Sequence, residues 1–400
     1  MRRHPALVLA LTAAAAVCAW SRAEAIPAFA RKHQLSCSTC HAPFPRLKPY
    51  GEEFAARGFR MEDPSQEPSR ATYDVGDPLL QLPRDLPLAV RLDGYASWKQ
   101  DRIAESDVEW PWAFKILSGG PISKSASYYL YFLVEEGDVV GLEDAWVQFR
   151  SIFGAPVDFS AGQFQVCDPM FKRESRIERA DYDVFKTHVG RTRVDLTYDR
   201  GIILAWRAPA KVDAIVQVVN GNGIEAASDE QFDRDDYKNV ALRVVRTFGP
   251  ARVGVFGYWG RERAPEAEGT GATNRTTWLG PDLVLDLGER WAFSLEYLER
   301  RDDDPDFSGY DGSSYKTRGG FAELHFFPAG QNGRYILSAL YNRISSDYGD
   351  AGAAFEDPTG ESAFVTFQYL FARNLRGIVE AGRDLEADAT RVSFGLSTAF

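Results

Sequence analysis

Cys37-Ser38-Thr39-Cys40-His41 sets two thiols three positions apart with an imidazole directly behind the second. That order suits covalent attachment of a c-type haem. The thiols of Cys37 and Cys40 add to the porphyrin vinyl groups, and the imidazole of His41 turns onto the iron as proximal ligand. Structural zinc takes four Cys/His ligands, usually as two spaced pairs. The chain has four cysteines in all, Cys18, Cys37, Cys40 and Cys167, with no second close pair. A thioredoxin-like pair opens a helix in a βαβ unit, and nothing after Cys40 reads that way. A surface disulfide or redox pair is the remaining alternative.

A haem iron has a second axial position. Met61 follows the haem segment directly and is the candidate distal ligand, because Met/His ligation raises the potential; a packing methionine is an equal reading. His33, four residues before Cys37, is the next candidate, or simply an exposed side chain. His325 shares a strand face with Glu323, and its plainer reading is a polar wall residue.

Between Asp168 and Arg193, the cations Lys172, Arg173, Arg176, Arg179, Lys186, Arg191 and Arg193 interleave with Glu174, Glu178, Asp181 and Asp183. A loop folded into a pore and paired with haem propionates is one reading; mutual ion pairing on a wall or loop is the favoured one. Cys167, at its start, reads as a sheltered unpaired thiol. Asp302, Asp303, Asp304 and Asp306 offer hard oxygen ligands that would concentrate Fe(II), or form a solvated acidic loop.

The elements around these residues begin with a leader. Residues 1–25 have a basic start at Arg2 and Arg3, an apolar run from Ala6 to Ala19, and small residues at Ala23 and Ala25. This reads as a cleaved secretory signal peptide, with Ile26 as the first mature residue. Removing three Arg and one Glu takes the formal charge from -11 to about -13, which speaks against nucleic-acid or anionic-lipid partners. Beyond the leader, no apolar run approaches the length of a transmembrane helix.

From Pro45 to Arg57, Leu47, Tyr50 and Phe54 recur at helical spacing and Gly58 offers a stop. Residues 26–61 therefore read as a small α-helical monohaem segment, with Phe44, Phe59 and Met61 available to cover one haem face. So short a unit cannot enclose a haem alone. Residues 62–87 are rich in proline and charge and read as a linker.

From Leu88 the pattern becomes alternation. Leu88, Val90, Leu92, Gly94, Ala96 and Trp98 share one face, while Arg91, Asp93, Tyr95, Ser97 and Lys99 share the other. About sixteen such strands follow to Phe400, and residues 88–400 read as one all-β unit, a transmembrane antiparallel β-barrel with apolar residues toward lipid and polar ones toward a watery lumen. A soluble sandwich would hide its apolar face. Trp110, Trp112, Tyr128, Trp259 and Trp291 suit interface girdles, and the terminal Phe400 resembles the closing aromatic of bacterial outer-membrane barrels.

Ile26 to Arg31, Cys37 to His41, Phe44-Pro45 and Tyr50 to Phe59 together resemble the amino-terminal monohaem segment of the fused outer-membrane cytochrome-porins, whose characterised members are iron(II) oxidases. Ala161 to Phe164, Tyr198 to Gly201 and Val219 to Gly221 resemble the barrel of phosphate-selective-type porins. The resemblance implies one covalent haem c whose segment plugs or abuts its own barrel. It also implies electrons carried across the outer membrane, with outer-membrane lipid, a periplasmic cytochrome or other carrier, and extracellular Fe(II) or another redox species as partners. A porin-type solute channel with a haem-bearing plug and a secreted haem sensor are the competing functions. With no nucleophile triad, P-loop or dinucleotide signature, any enzymatic activity should be redox at the iron.

Overall fold

The computed structural model describes residues 28–62, 72–73, 75–77, 79–80, 82–84, 86–100, 104–227, 230–233, 235–264, 271–309, 313–349, 355 and 357–400. The expected leader, residues 1–25, lies outside the described residues, as does much of the linker. Within the linker, Thr72–Tyr73 pairs with Leu82–Pro83 in a two-residue antiparallel ladder.

Three short helices come first, α1 (Ala28–His33), α2 (Cys37–Cys40) and α3 (Pro49–Ala56). Sixteen strands then close into one barrel. They are β1 (Leu88–Gln100), β2 (Ala104–Pro121), β3 (Ala126–Glu135), β4 (Asp138–Phe149), β5 (Val157–Gln165), β6 (Tyr198–Ala208), β7 (Val212–Val219) and β8 (Asn239–Phe248). The second half is β9 (Ala251–Arg263), β10 (Thr273–Leu287), β11 (Trp291–Asp302), β12 (Tyr315–Phe326), β13 (Tyr335–Ser346), β14 (Gly360–Ala372), β15 (Leu375–Asp384) and β16 (Ala389–Ala399). Each strand runs antiparallel to the next, and β16 closes on β1 with Ala399 opposite Arg91 and Thr390 opposite Gln100. Closure pairs the edges that an open sheet would expose.

The period-2 pattern sets the two faces. Along β11, Ala292, Ser294, Glu296, Leu298 and Arg300 are buried inward, while Trp291, Leu295 and Tyr297 are exposed outward. Val253, Val255, Leu337, Val365, Phe367, Val379 and Phe394 extend the outer apolar band, a surface suited to lipid contact.

Three details differ from the sequence expectation. Trp110 is exposed, but Trp112 turns inward against Tyr95, 5.3 Å away. The register of β2 on β1 slips by two residues between Asp93 and Tyr95, which leaves residues 110–112 unpaired in a bulge where alternation lapses locally while the flanking residues keep their parity. The tenth strand begins at Thr273, although the alternating pattern in the sequence reads as a strand only over Asp282 to Leu287. Its pairing with β11 lapses at Gly280 and Pro281, where proline offers no N–H, so the sequence there resembles a break. The third difference concerns the lumen, where the inward faces of the strands do not line open water. Glu296, Asn342, Thr366, Gln368 and Arg376 are at most 2% exposed.

Two inserts fill that lumen. Residues 166–197, between β5 and β6, fold inward, and Val166, Cys167, Met170, Phe171, Tyr182, Val184 and Phe185 join wall residues Phe256, Trp278, Leu298, Phe321 and Leu340 in one buried apolar cluster. The helical segment enters from the opposite end, the end of short connections such as Gly249-Pro250 and Arg373-Asn374. In outer-membrane barrels the short turns are periplasmic and the long loops extracellular.

Candidate functional site

Cys37 and Cys40 open and close α2, so the two thiols leave one face of a single turn. Ser36 precedes it, its Oγ accepting the Ser38 N–H at 3.3 Å. His41 then takes an extended backbone (φ -113, ψ 141) that swings its ring out of the turn. Its Nδ1 lies 2.9 Å from the Pro45 carbonyl oxygen. A carbonyl can only accept, so Nδ1 carries the proton and the Nε2 lone pair is the one left for a metal.

Burial lowers the His41 pKa from its ordinary value, which keeps the imidazole in the neutral form that ligates. Burial also raises the Cys37 thiol and pushes Cys40 up to about 11. A reactive redox pair needs the opposite shift. Two thiols on one turn and a neutral, oriented imidazole fit a c-type haem.

The loop behind the motif is closed on itself. Ala42 donates its N–H to Arg46 O at 2.9 Å, and Lys48 to Cys40 O at 2.8 Å. His41 and Leu47 form an antiparallel bridge. The helix expected from Pro45 therefore starts only at Pro49, which occupies its first turn without needing an N–H partner. Helix α3 lies against the motif through Gly51, where a Cβ would stand 2.4 Å from Cys40 O. Gly58 ends the segment with φ +67, as its stop position requires, and approaches Gln148 and Ser127 too closely for a side chain.

The barrel grips this segment with named contacts. Arg60 donates from Nε to Ser127 Oγ at 2.9 Å and from Nη2 to Ala126 O at 2.6 Å. Lys48 Nζ reaches Asn332 Oδ1 at 2.7 Å, and Gln368 donates to Phe44 O at 2.7 Å. Arg252 pairs with Glu52. Phe59 stacks on Phe29 at 4.4 Å and on Trp146 of the wall at 6.2 Å between ring centroids. The sequence marks Arg60 and Glu52 only as charges; their partners come from strands far along the chain.

Phe54, Phe59 and Met61 form one buried cluster with Phe29 and Leu35. Phe44 sits apart from it, 5.2 Å from the His41 ring and flanked by the guanidinium groups of Arg91 and Arg376, each 5.6 Å away. The Met61 sulfur accepts the Tyr50 hydroxyl at 3.8 Å, and His33 stands edge-on to Phe54 at 5.4 Å. His325 and Glu323 do face the lumen together: His325 Nε2 is 2.8 Å from Glu323 Oε2, and Nδ1 is 2.7 Å from Ser338 Oγ.

The cations of the inward loop are engaged with carboxylates of their own loop and the wall. Arg173 and Arg176 meet Asp181 at 2.5 and 3.5 Å, Lys172 meets Asp168 at 3.0 Å, and Lys115 of the wall meets Glu174 at 2.5 Å. Mutual pairing describes these contacts. Cys167 is fully buried and in no disulfide. A cavity of about 490 Å³ remains toward the long loops, lined by Glu143, Arg173, Glu174, Arg179 and Asp181 among others.

The run from Asp302 to Asp306 does not form an open acidic cluster. Asp302 is buried against Arg300 at 2.6 Å, Asp304 accepts the N–H groups of Ser308 and Gly309, and Asp306 accepts the Tyr348 hydroxyl. Three of these four carboxylates serve their own loop and wall, so of the two readings the cation-gathering patch is the one the geometry does not build.

No protein-family model matches the chain, and no curated protein matches it in sequence. Solved structures do resemble it. The anion-selective porin of Comamonas acidovorans superposes with a TM-score of 0.56 at 11% identity, covering 79% of this chain and 99% of the porin. OmpF of Salmonella typhi, in complex with daunomycin, gives 0.53 at 10%, covering 79% and 97%. OprB of Pseudomonas putida at high pH gives 0.52 at 10%, covering 78% and 94%. At these identities the likeness is one of fold, and the fold that residues 88–400 share with these proteins is the outer-membrane porin barrel.

Proposed function

We propose that the chain is an outer-membrane electron-transfer protein of the fused cytochrome-porin type, with one covalent haem c carried by the helical segment in the short-turn end of the barrel. The observation that carries this reading is the His41 Nδ1 to Pro45 O contact of 2.9 Å directly behind the Cys37–Cys40 turn. When bound, the haem supplies a one-electron iron couple. Cys37 and Cys40 hold it covalently and His41 presents Nε2. Arg376, and Arg91 beyond its pairing with Asp93, each 5.6 Å from the Phe44 ring, suit the acidic propionates. Met61 is the proposed distal ligand.

The two inserts give this reading its second support. A lumen filled from both ends keeps an extracellular donor and a periplasmic acceptor apart, which electron transfer tolerates and bulk solute flow does not. Extracellular Fe(II) is the proposed donor and a periplasmic cytochrome or similar carrier the acceptor. Lipid contacts the outer band of apolar side chains.

The test is absorption spectroscopy on purified, oxidised holoprotein mixed with Fe(II) across pH. The reduced α-band should appear; a haem that stays oxidised at every pH overturns the iron-oxidising reading. A porin-type solute channel is the second reading, favoured by the likeness to porins. It requires high conductance in planar bilayers and no transmembrane haem reduction in sealed proteoliposomes.

A further inference from the structure

Glu178, at the tip of the inward loop, meets Glu323 and His325 of β12 deep in the lumen, with side chains at most 1% exposed. One potential ligand atom from each residue lies within 4.8 Å of the other two. The arrangement is more than a buried acidic pair, because among the described residues the Glu178 side chain meets no well-aligned donor, only its own backbone N–H and the neighbouring Glu323 carboxyl at poor geometry. Such a fully buried carboxylate is costly to keep charged unless a cation stands beside it. The nearby cation Arg46 is 3.6 Å from Glu323. Glu178 is instead turned toward the imidazole, with Oε1 4.0 Å from His325 Nδ1.

We propose that Glu178, Glu323 and His325 bind a first-row divalent transition cation inside the barrel. Two carboxylates and one imidazole suit this class, whereas calcium and magnesium favour sets made of oxygen alone. Two of the three ligands are already oriented from behind. Ser338 Oγ lies 2.7 Å from His325 Nδ1, and the Tyr182 hydroxyl donates to Glu323 Oε1 at 2.8 Å, the outer support that metal ligands use. Glu178, the least constrained of the three, turns in to complete ligand distances of about 2.0–2.2 Å. The dication then offsets the charge of both carboxylates. Ile177, beside Glu178, packs with Ala42, the neighbour of His41, so the cation sits next to the Cys37–His41 loop while using none of the haem-attaching residues.

The experiment uses the full-length holoprotein, stripped with EDTA and dialysed against Co(II), with bound metal measured by mass spectrometry. One Co(II) per chain is expected, retained against excess Ca(II) and Mg(II). Glu178→Gln and Glu323→Gln should each weaken binding about tenfold or more, while Glu299→Gln, in an exposed ion-pair cluster, leaves it unchanged. Heat-modifiable gel migration verifies that each barrel is folded. The haem-to-protein absorbance ratio of the same samples separates failure of this site from failure of haem attachment. Binding below a tenth of an equivalent, or binding that both glutamate variants leave intact, overturns the proposal.

Discussion

Arg60 donates to Ser127 Oγ at 2.9 Å and thereby ties the end of the helical segment to the first short turn of the barrel. The guanidinium is buried and also reaches the carbonyls of Ser123 and Ala126. Arg60→Ala removes a charged donor and strands these acceptors, at a cost of about 2–4 kcal/mol to docking. The variant barrel should fold, yet show higher conductance in planar bilayers and faster hydrogen exchange over residues 28–61. Unchanged conductance and exchange would mean that other contacts suffice to seat the segment.

On the proposed reading, attachment and ligation separate at the motif. Cys37→Ala combined with Cys40→Ala should abolish haem staining on denaturing gels, because no thioether survives denaturation. His41→Ala should keep some stain while shifting the Soret band and the potential, since the thiols remain but the proximal nitrogen is gone. Wild-type-like spectra in His41→Ala would place the iron ligand elsewhere.

Gly51 carries no side chain because Cys40 O occupies the space a Cβ would need, 2.4 Å away. Gly51→Ala must push α3 off the motif, an overpacking cost of about 1–3 kcal/mol. The ratio of haem absorbance to total purified protein is expected to drop several-fold, with barrel migration on gels unchanged. An unaltered ratio would show that α3 is not needed to present the motif.

Asp181 anchors the inward loop through Arg173, Arg176 and Lys186. Burial alone would raise its pKa, but the two guanidinium groups outweigh that and hold it below the ordinary 3.8. A carboxylate depressed in the folded state adds stability in full above its unfolded pKa, and that stability is lost as pH falls below it. The loop should therefore be firm at neutral pH and loosen below about pH 4, seen as rising conductance or exchange at residues 166–197. Asp181→Asn should produce the loosened state already at pH 7. A loop equally protected in both proteins, and at both pH values, would remove Asp181 from this role.

Local chemistry was legible in the sequence. The Cys37 to His41 order is the basis of the proposed haem attachment, and the period of 2 from Leu88 onward marks strands and their two faces, because spacing along one strand needs no distant partner. What occupies the inner face was not legible. A polar row such as Glu296, Asn342 and Gln368 reads the same whether it meets water or a folded insert, so the filled lumen emerges only in three dimensions. Trp112 failed as a girdle residue because it lies in an unpaired bulge where alternation lapses, and Asp302 and Asp304 do not form an acidic patch because their partners fold back onto them. Glu178 and His325 come from an inward loop and a distant strand; only barrel closure brings their side chains to 4.0 Å. Residue order determined the motif and the strands, and the tertiary structure decided which charges meet, since burial and pairing depend on elements far apart in the chain.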